Sequence, residues 1–171
     1  IGRNSKKEYK KQVGRGRRPH ILQQQFKVSE PNLAWVSDVT CFKVKDKWYY
    51  TCVILDLFAR KVISHGVSPK NSTYLITSTF NRAYESRNMP KHLTFHSDQG
   101  VQYTSKTFQD HLKMNNIVQS FSKTGSPHDN AVAESFFSAM KKEELYRTNY
   151  RSEREFRSGV EEYIDFYNNE R

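Results

Sequence analysis

Apolar positions along the chain follow a two-residue period in some stretches and a helical spacing in others. Three early stretches, rich in Val, Ile, Tyr, Trp and Thr and joined by short polar turns, predict an antiparallel meander. Helical and β-like stretches then alternate. Strands are predicted over residues 33–45, 47–57, 61–67, 93–96 and 117–121, and helices over 71–88, over 105–115, after 130 and after 152. This order predicts an α/β or α+β domain in which helices flank a mixed five-stranded sheet.

Two segments in the second half carry clear local signals. Residues 122–130 contain Gly125, Pro127 and small polar residues, which predicts a flexible loop beside the helix that follows. Ser152 and Glu155 have the spacing of a capping box, in which each side chain bonds the other residue's backbone N–H. We therefore expect the last helix to begin after Ser152.

Basic residues are concentrated at the N-terminus. The 171 residues carry a formal net charge of +10, and residues 1–20 hold eight Lys or Arg against a single acid, Glu8. We expect residues 1–31 to form a basic, flexible arm outside a core domain of residues 32–171, with Arg15, Arg17 and Arg18 on nucleic acid. A solvated tail that only aids solubility explains the charge run equally well.

Composition argues against several other classes of protein. The two cysteines, Cys41 and Cys52, lie in β-like stretches without a Cys-x-x-Cys motif, which favours buried free thiols in a reducing cytoplasm. The six histidines lack the paired cysteines of a zinc finger. No apolar run approaches the about 20 residues that cross a bilayer, so no membrane partner is expected.

Three acidic residues lie where a sheet edge and a helix can bring them together. Asp38 belongs to a strand-like run, Asp98 ends a short strand, and Glu134 lies in a helix, with 35 residues between Asp98 and Glu134. An acid among apolar neighbours, as at Asp38, is costly to bury unless a cation is near. Carboxylates from two strands and one helix can converge on a pair of hard cations, which prefer oxygen ligands.

Lys141 adds a positive charge to this candidate set. It follows Glu134 by seven residues, so the two lie within about 20° of each other on a helix, and Lys141 can reach towards a phosphate. Each residue also has a plain structural explanation: Asp98 can hold a turn, and the two helical charges can be solvated. Asp56 and Asp129 are interpreted as structural, one in a strand-end turn and the other as a helix cap.

Three blocks of sequence, taken together, resemble one family. Residues 35–40, 96–103 and 129–143 are similar to the signature blocks of the retroviral-integrase-like transposases of bacterial insertion sequences, and residues 163–171 resemble the terminal helix of that family. The resemblance covers nearly all of the chain from about residue 32 onward. It implies a ribonuclease-H-like fold, in agreement with the predicted order of elements.

The resemblance also implies roles for individual residues. Asp38, Asp98 and Glu134 stand at the places of the family's catalytic triad, and Lys141 at the place of its basic residue. Asp38 would bridge two Mg²⁺ or Mn²⁺ ions, while Asp98 and Glu134 would each complete one of them. One ion would activate water or a DNA 3′-hydroxyl, and the other would stabilise the leaving oxygen. The expected activity is cleavage at transposon ends and transfer of the 3′-hydroxyl to target DNA.

Expected partners follow from the same resemblance. They are the element ends, the target DNA, at least one further copy of the chain on DNA, and a helix-turn-helix segment that is fused or separate. Because the chain starts with only a basic tail, we expect specific end recognition to be missing. Two alternatives stay open: a ribonuclease-H-type nuclease, which would want an acid early in the first long helix where only Glu85 near its end is acidic, and a catalytically silent DNA-binding remnant.

Overall fold

A mixed five-stranded sheet forms the centre of the protein, seen in a computed structural model that describes residues 3–13 and 18–171. Along the sheet the strand order is β3-β2-β1-β4-β5. The first three strands form the antiparallel meander, whereas β4 pairs parallel to β1 and β5 pairs parallel to β4. The bounds are β1 Ala34–Val44, β2 Lys47–Asp56, β3 Lys61–Ser68, β4 Thr94–Ser97 and β5 Val118–Phe121. The predicted sheet is confirmed.

Helices cover both faces and one edge of the sheet. Ser72, Ser105 and Ser152 each accept a hydrogen bond from the backbone N–H three residues later, so side-chain caps start three of the helices. Within the described residues, no helix is both long and apolar enough to cross a membrane. The bounds are α1 Arg3–Val13, α2 Thr73–Ser86, α3 Val101–Thr104, α4 Lys106–Met114, α5 Ala131–Met140 and α6 Glu153–Asn169, with a 3-10 turn Pro127–Asn130 and a π-helical turn Lys141–Leu145.

Two apolar layers follow from the alternation of side chains along β1. Trp35 lies on the face covered by α2 and α4, where Phe80, Phe95 and Phe108 complete an aromatic cluster. Val36 lies on the opposite face, which α5 and α6 cover. Because side chains alternate along a strand, Asp38 points to the same face as Val36 and therefore towards α5.

Part of the segment expected to form a flexible arm, residues 1–31, packs against the sheet. Leu22 is completely buried in the core. The Phe121 N–H donates to the Pro19 carbonyl (2.7 Å), and the Ile21 and Leu22 N–H groups donate to Ser120 Oγ (2.9 and 3.0 Å). Residues 19–22 thus contact the outer edge of β5 and bury apolar side chains, so we propose that they fold with the core domain.

The two cysteines are free and lie apart. In the register of β1 and β2, Cys41 is opposite Tyr50, while Cys52 is opposite Val39. Cys52 is buried as predicted, but Cys41 is exposed.

Candidate active site

Strand register places Asp38 beside Asp98. The parallel pairing of β1 with β4 ends at Val36 opposite His96. Each acid follows its paired residue by two positions, so both side chains emerge on the same face where the two strands diverge. This is the carboxyl end of β4, the end at which ligands bind in open α/β sheets.

A tight turn fixes the backbone after Asp98. The Gly100 N–H donates to Asp98 Oδ1 (2.9 Å), which forms an Asx turn. A Cβ atom at position 100 would lie 3.0 Å from that oxygen and 2.9 Å from Gln102 Nε2. Glycine therefore allows the close approach of backbone and carboxylate at the strand end.

Helix α5 brings Glu134 to the same place. Its apolar side chains are buried against the sheet, which leaves Glu134 exposed at the edge of the helix. Asn130, the N-cap residue of α5, donates from Nδ2 to the carbonyl oxygen of Ser37 (3.1 Å). That bond joins the residue before Asp38 to a residue one helical turn before Glu134, and so it links the two segments.

All three predicted acids line one open pocket of about 410 Å³. The loop after β5 forms its opposite wall, and Asn130 and Gln99 complete it. The lining residues are Asp38, Asp98, Gln99, Ser122, Lys123, Thr124, Gly125, Ser126, Asn130 and Glu134. The convergence expected from the sequence is therefore present at the level of the pocket.

Asp38 is the acid of this pocket whose surroundings disfavour its charged form. Burial raises the pKa of Asp38 to about 7, against the hydrogen bond from the Val39 N–H (2.8 Å), which lowers it. The negative charges of Asp98 and Glu134 raise this pKa further, and the positive charge of Lys141 lowers it. Carboxylates that repel one another in this way are stabilised by a shared cation.

The pocket fits a divalent cation in its chemistry and placement, although its acids stand apart. Within residues 3–13 and 18–171, no three His, Cys, Asp or Glu side chains are close enough to hold a metal ion together. The donor set is nevertheless all oxygen, which suits Mg²⁺ or Mn²⁺. Asp98 and Glu134 are both exposed, so neighbouring side chains do not fix their rotamers as burial would.

Comparison with known proteins decides the family. A model described as integrase core domain matches residues 28–127, and a second model with that description matches residues 115–171. The chain belongs to the integrase core domain family. The catalytic core of HTLV-2 integrase, in its dimeric form with magnesium, superposes with a TM-score of 0.65 at 22% identity, over 82% of this chain and 89% of that one. The ribonuclease-H-like fold is thereby confirmed.

Bacterial relatives of this integrase core are transposases by name. The chain is 37% identical over 165 residues to the Escherichia coli K12 protein assigned as transposase InsK of insertion sequence element IS150, covering 96% of this chain and 58% of that protein. It is 31% identical over 163 residues to the Lactococcus lactis transposase for insertion sequence element IS904, covering 95% and 64% respectively. The chain therefore spans less than two thirds of the length of these curated relatives.

Basic residues predicted to contact DNA lie beside the integrase pocket where they are described. Lys141 opens the π-helical turn that follows α5, and its charge acts on Asp38. Such turns are frequent at functional sites because they redirect side chains. Arg18 donates from Nη1 to Gln99 Oε1 (2.7 Å) and so lies at the rim of the pocket. Arg15 and Arg17 lie outside the described residues.

Sequence reasoning did not identify Asn130 or the role of Asp129. Asp129 was expected to cap the helix, but Asn130 holds the cap position and Asp129 is buried in the 3-10 turn. The Asp129 carboxylate accepts hydrogen bonds from the Lys123 N–H (2.8 Å) and from Gln24 Nε2 (2.6 Å). Its partner Gln24 is 105 residues away, so no local pattern could reveal this contact.

Proposed function

We propose that this chain is the catalytic core of a DNA transposase, which cuts DNA at the ends of an insertion sequence and joins the resulting 3′-hydroxyl to target DNA. The observation that carries the proposal is the shared pocket of Asp38, Asp98 and Glu134 at the carboxyl end of β4 in an integrase core. The names of the bacterial relatives support it. The reaction then takes place in the bacterial cytoplasm, where the DNA is.

The proposed cofactor is a pair of Mg²⁺ or Mn²⁺ ions. The similar HTLV-2 integrase core binds magnesium, which supports the choice of a divalent ion. As the resemblance to the family implies, Asp38 would contact both ions, and Asp98 and Glu134 would each hold one; the charges of both other acids act on Asp38, which supports this arrangement. Two such ions supply Lewis acidity on both the attacking and the leaving oxygen of an in-line displacement at phosphorus.

Residues around the acids would bind and orient the DNA. Lys141 and Arg18 carry positive charges next to the pocket, and such charges neutralise phosphates and fix the register of a strand. Arg15 and Arg17 are proposed to extend this contact. Joining two ends of one element requires at least two copies of the core, so we propose a homo-oligomer on DNA. The greater length of the relatives leaves room for a helix-turn-helix segment in the whole protein.

Strand transfer in vitro tests the proposal. The chain is incubated with a short duplex that ends in a pre-cleaved 3′-hydroxyl, with a target plasmid and with Mg²⁺, and a parallel reaction contains EDTA. Joined products that require Mg²⁺ are expected. Hydrolysis of the RNA strand of an RNA–DNA hybrid without any joining would indicate a ribonuclease-H-type nuclease instead. DNA binding without any metal-dependent chemistry would indicate a silent remnant.

A further inference from the structure

Helix α1 lies along β5, the edge strand of the sheet, on the side away from β4. Gln12, near its C-terminus, accepts a hydrogen bond at Oε1 from the His20 N–H (2.7 Å), and the His20 ring bonds the Phe121 carbonyl at the last residue of β5. Lys6, near its N-terminus, meets residues that precede β4 and β5. Because those strands are parallel, Lys6 lies at the end of the sheet opposite Asp98.

The lysines of α1 all face away from the sheet. At 100° per residue, the exposed lysines fall within one sector of about 140°, and the half-buried residues fall on the other side of the helix. The exposed set is Lys6, Lys7, Lys10 and Lys11, called here the α1 lysine face, and the half-buried set is Glu8, Tyr9 and Gln12. Within the described part of the chain, none of the four lysines forms an ion pair.

A basic cavity marks the far end of the α1 lysine face. It has a volume of about 570 Å³ and is lined by Lys6, Tyr84, Met89, Pro90, Lys91, His92, Asn115 and Asn116. No carboxylate is among its described lining residues. Two lysines at one cavity without an acidic lining residue have the chemistry to bind a phosphate.

The near end of the same edge reaches the candidate active site. Arg18 follows α1 in the chain and bonds Gln99 at the rim of the pocket, and Lys123 lines the pocket itself. Positive groups therefore continue from the cavity at Lys91, along α1, to the place where the chemistry is proposed. An 11-residue helix is about 16 Å long, which matches about five base pairs of duplex DNA.

We propose that the α1 lysine face, with Lys91 at its far end, binds the backbone of duplex DNA whose end lies in the active-site pocket. This inference rests on the proposed function and deepens it, since it assigns the path of the DNA beyond the reacting phosphate. Duplex DNA is the occupant because the charged surface is continuous with the pocket and has the length of several regularly spaced phosphates.

Salt-dependent binding to duplexes of graded length tests the proposal. Fluorescence anisotropy is measured without divalent metal for the unaltered chain, for K6Q/K10Q, and for the control K61Q/K70Q. Lys61 and Lys70 are exposed at the opposite edge of the sheet, at and beyond β3, so the control removes the same charge elsewhere. We expect K6Q/K10Q to lower the slope of log K against log salt by about 1.8, at about 0.9 per lost phosphate contact, and the control to change it by less than half of that.

Duplex length provides a second readout. Affinity of the unaltered chain should rise as the duplex becomes long enough to follow α1, and K6Q/K10Q should lose that rise while K61Q/K70Q keeps it. Equal slopes for the two double variants, or an affinity that ignores length, would overturn the proposal, as would tighter binding of K6Q/K10Q to DNA. The binding assay contains no metal and is separate from the strand-transfer assay. Binding along α1 in the first assay, with no joining in the second, would contradict the proposed function and leave the binding surface in place.

Discussion

Asp38 has the most unusual surroundings of the three acids. It is the one that is half-buried, and its carboxylate is held by its own strand through the Val39 N–H. Asp98 and Glu134, both exposed, act on it with like charge. A half-buried acid that already accepts a backbone hydrogen bond is suited to be a fixed ligand of the proposed metal site, because its position is set before a cation binds.

Removal of any one of the three acids should abolish chemistry while the fold remains. We expect Asp38→Asn, Asp98→Asn and Glu134→Gln each to reduce joining by more than about 100-fold. Each substitution removes a proposed metal ligand, and losing a ligand lowers activity more than losing a residue that only hydrogen-bonds to one. Joined product per hour measures this. Asp110→Asn is the matched control, since Asp110 is an exposed acid paired with Lys106. Full activity in any one of the three variants would remove that residue from the site.

Asn130 should act as a positioning residue through its bond to the Ser37 carbonyl. Asn130→Ala and Asn130→Asp both lack the donor, so we expect joining to fall by about 10- to 100-fold and the Mg²⁺ concentration for half-maximal rate to rise. Ser138→Ala on the same helix is the control. A lower melting temperature with an unchanged Mg²⁺ requirement would show that the bond serves stability alone.

Local sequence patterns were enough to identify the three acids, but not the residues that hydrogen-bond the surrounding backbone and side chains. The three acids lie in a strand (Asp38), at a strand end (Asp98) and in a helix (Glu134). Each of these elements has a recognisable pattern of apolar and polar residues around the acid. The hydrogen bond of Asn130 reaches across 93 positions of sequence, and Gln99 holds an arginine 81 positions away. Such contacts depend on the assembled fold, so a single sequence does not indicate them.

At the level of elements, the loop after β5 depends on Asp129. Its buried carboxylate receives the Lys123 N–H and the Gln24 amide, and these bonds hold its pKa below the usual value although burial alone would raise it. Asp129→Ala leaves both donors without a partner, so we expect the free energy of unfolding to fall by about 1–3 kcal/mol. Urea denaturation at pH 7 measures it.

The same residue predicts a pH dependence. Because the pKa of Asp129 is lower in the folded chain than in the unfolded chain, its contribution is complete above about pH 4, the usual range of an Asp, and is lost as the pH falls through the lower folded value. Asp129→Asn should remove this part of the acid sensitivity. An identical loss of stability below pH 4 in both proteins would contradict the assignment.

Leu22 tests whether the segment after α1 belongs to the core. It is 0% exposed, so we expect Leu22→Ala to lower the free energy of unfolding by about 2–5 kcal/mol. Val101 is 83% exposed, and Val101→Ala should stay within about 0.5 kcal/mol. Equal small effects of both substitutions in urea denaturation would return residues 18–25 to a loosely attached arm.

Helix α1 was not predicted from the sequence. Its sequence has no apolar stripe, and charge dominates it, so periodicity offers nothing to detect. The helix instead covers the edge strand β5, and Gln12 bonds the backbone there. By contrast, β1 to β3 and α2 carry strong alternation or periodicity, and their predicted bounds lie within two residues of those observed.

For the whole molecule, the order of elements was enough to predict a mixed sheet, but the distances within the site were not. The register that sets Asp38 beside Asp98 comes from the pairing of β1 with β4, whose paired residues, such as Val36 and His96, are 60 positions apart. The distances between the three carboxylates depend on their side-chain rotamers and on the repulsion between their negative charges. These quantities depend on the folded chain.

Location of a bound ion is the most direct test of the central claim that Asp38, Asp98 and Glu134 form one divalent metal site. Crystals of the chain soaked in Mn²⁺ would be measured at the manganese absorption edge. The account predicts anomalous peaks in the pocket at bonding distance, about 2.0–2.6 Å, from carboxylate oxygens of Asp38 and of at least one other acid. Peaks elsewhere, with these three carboxylates still apart, would contradict it.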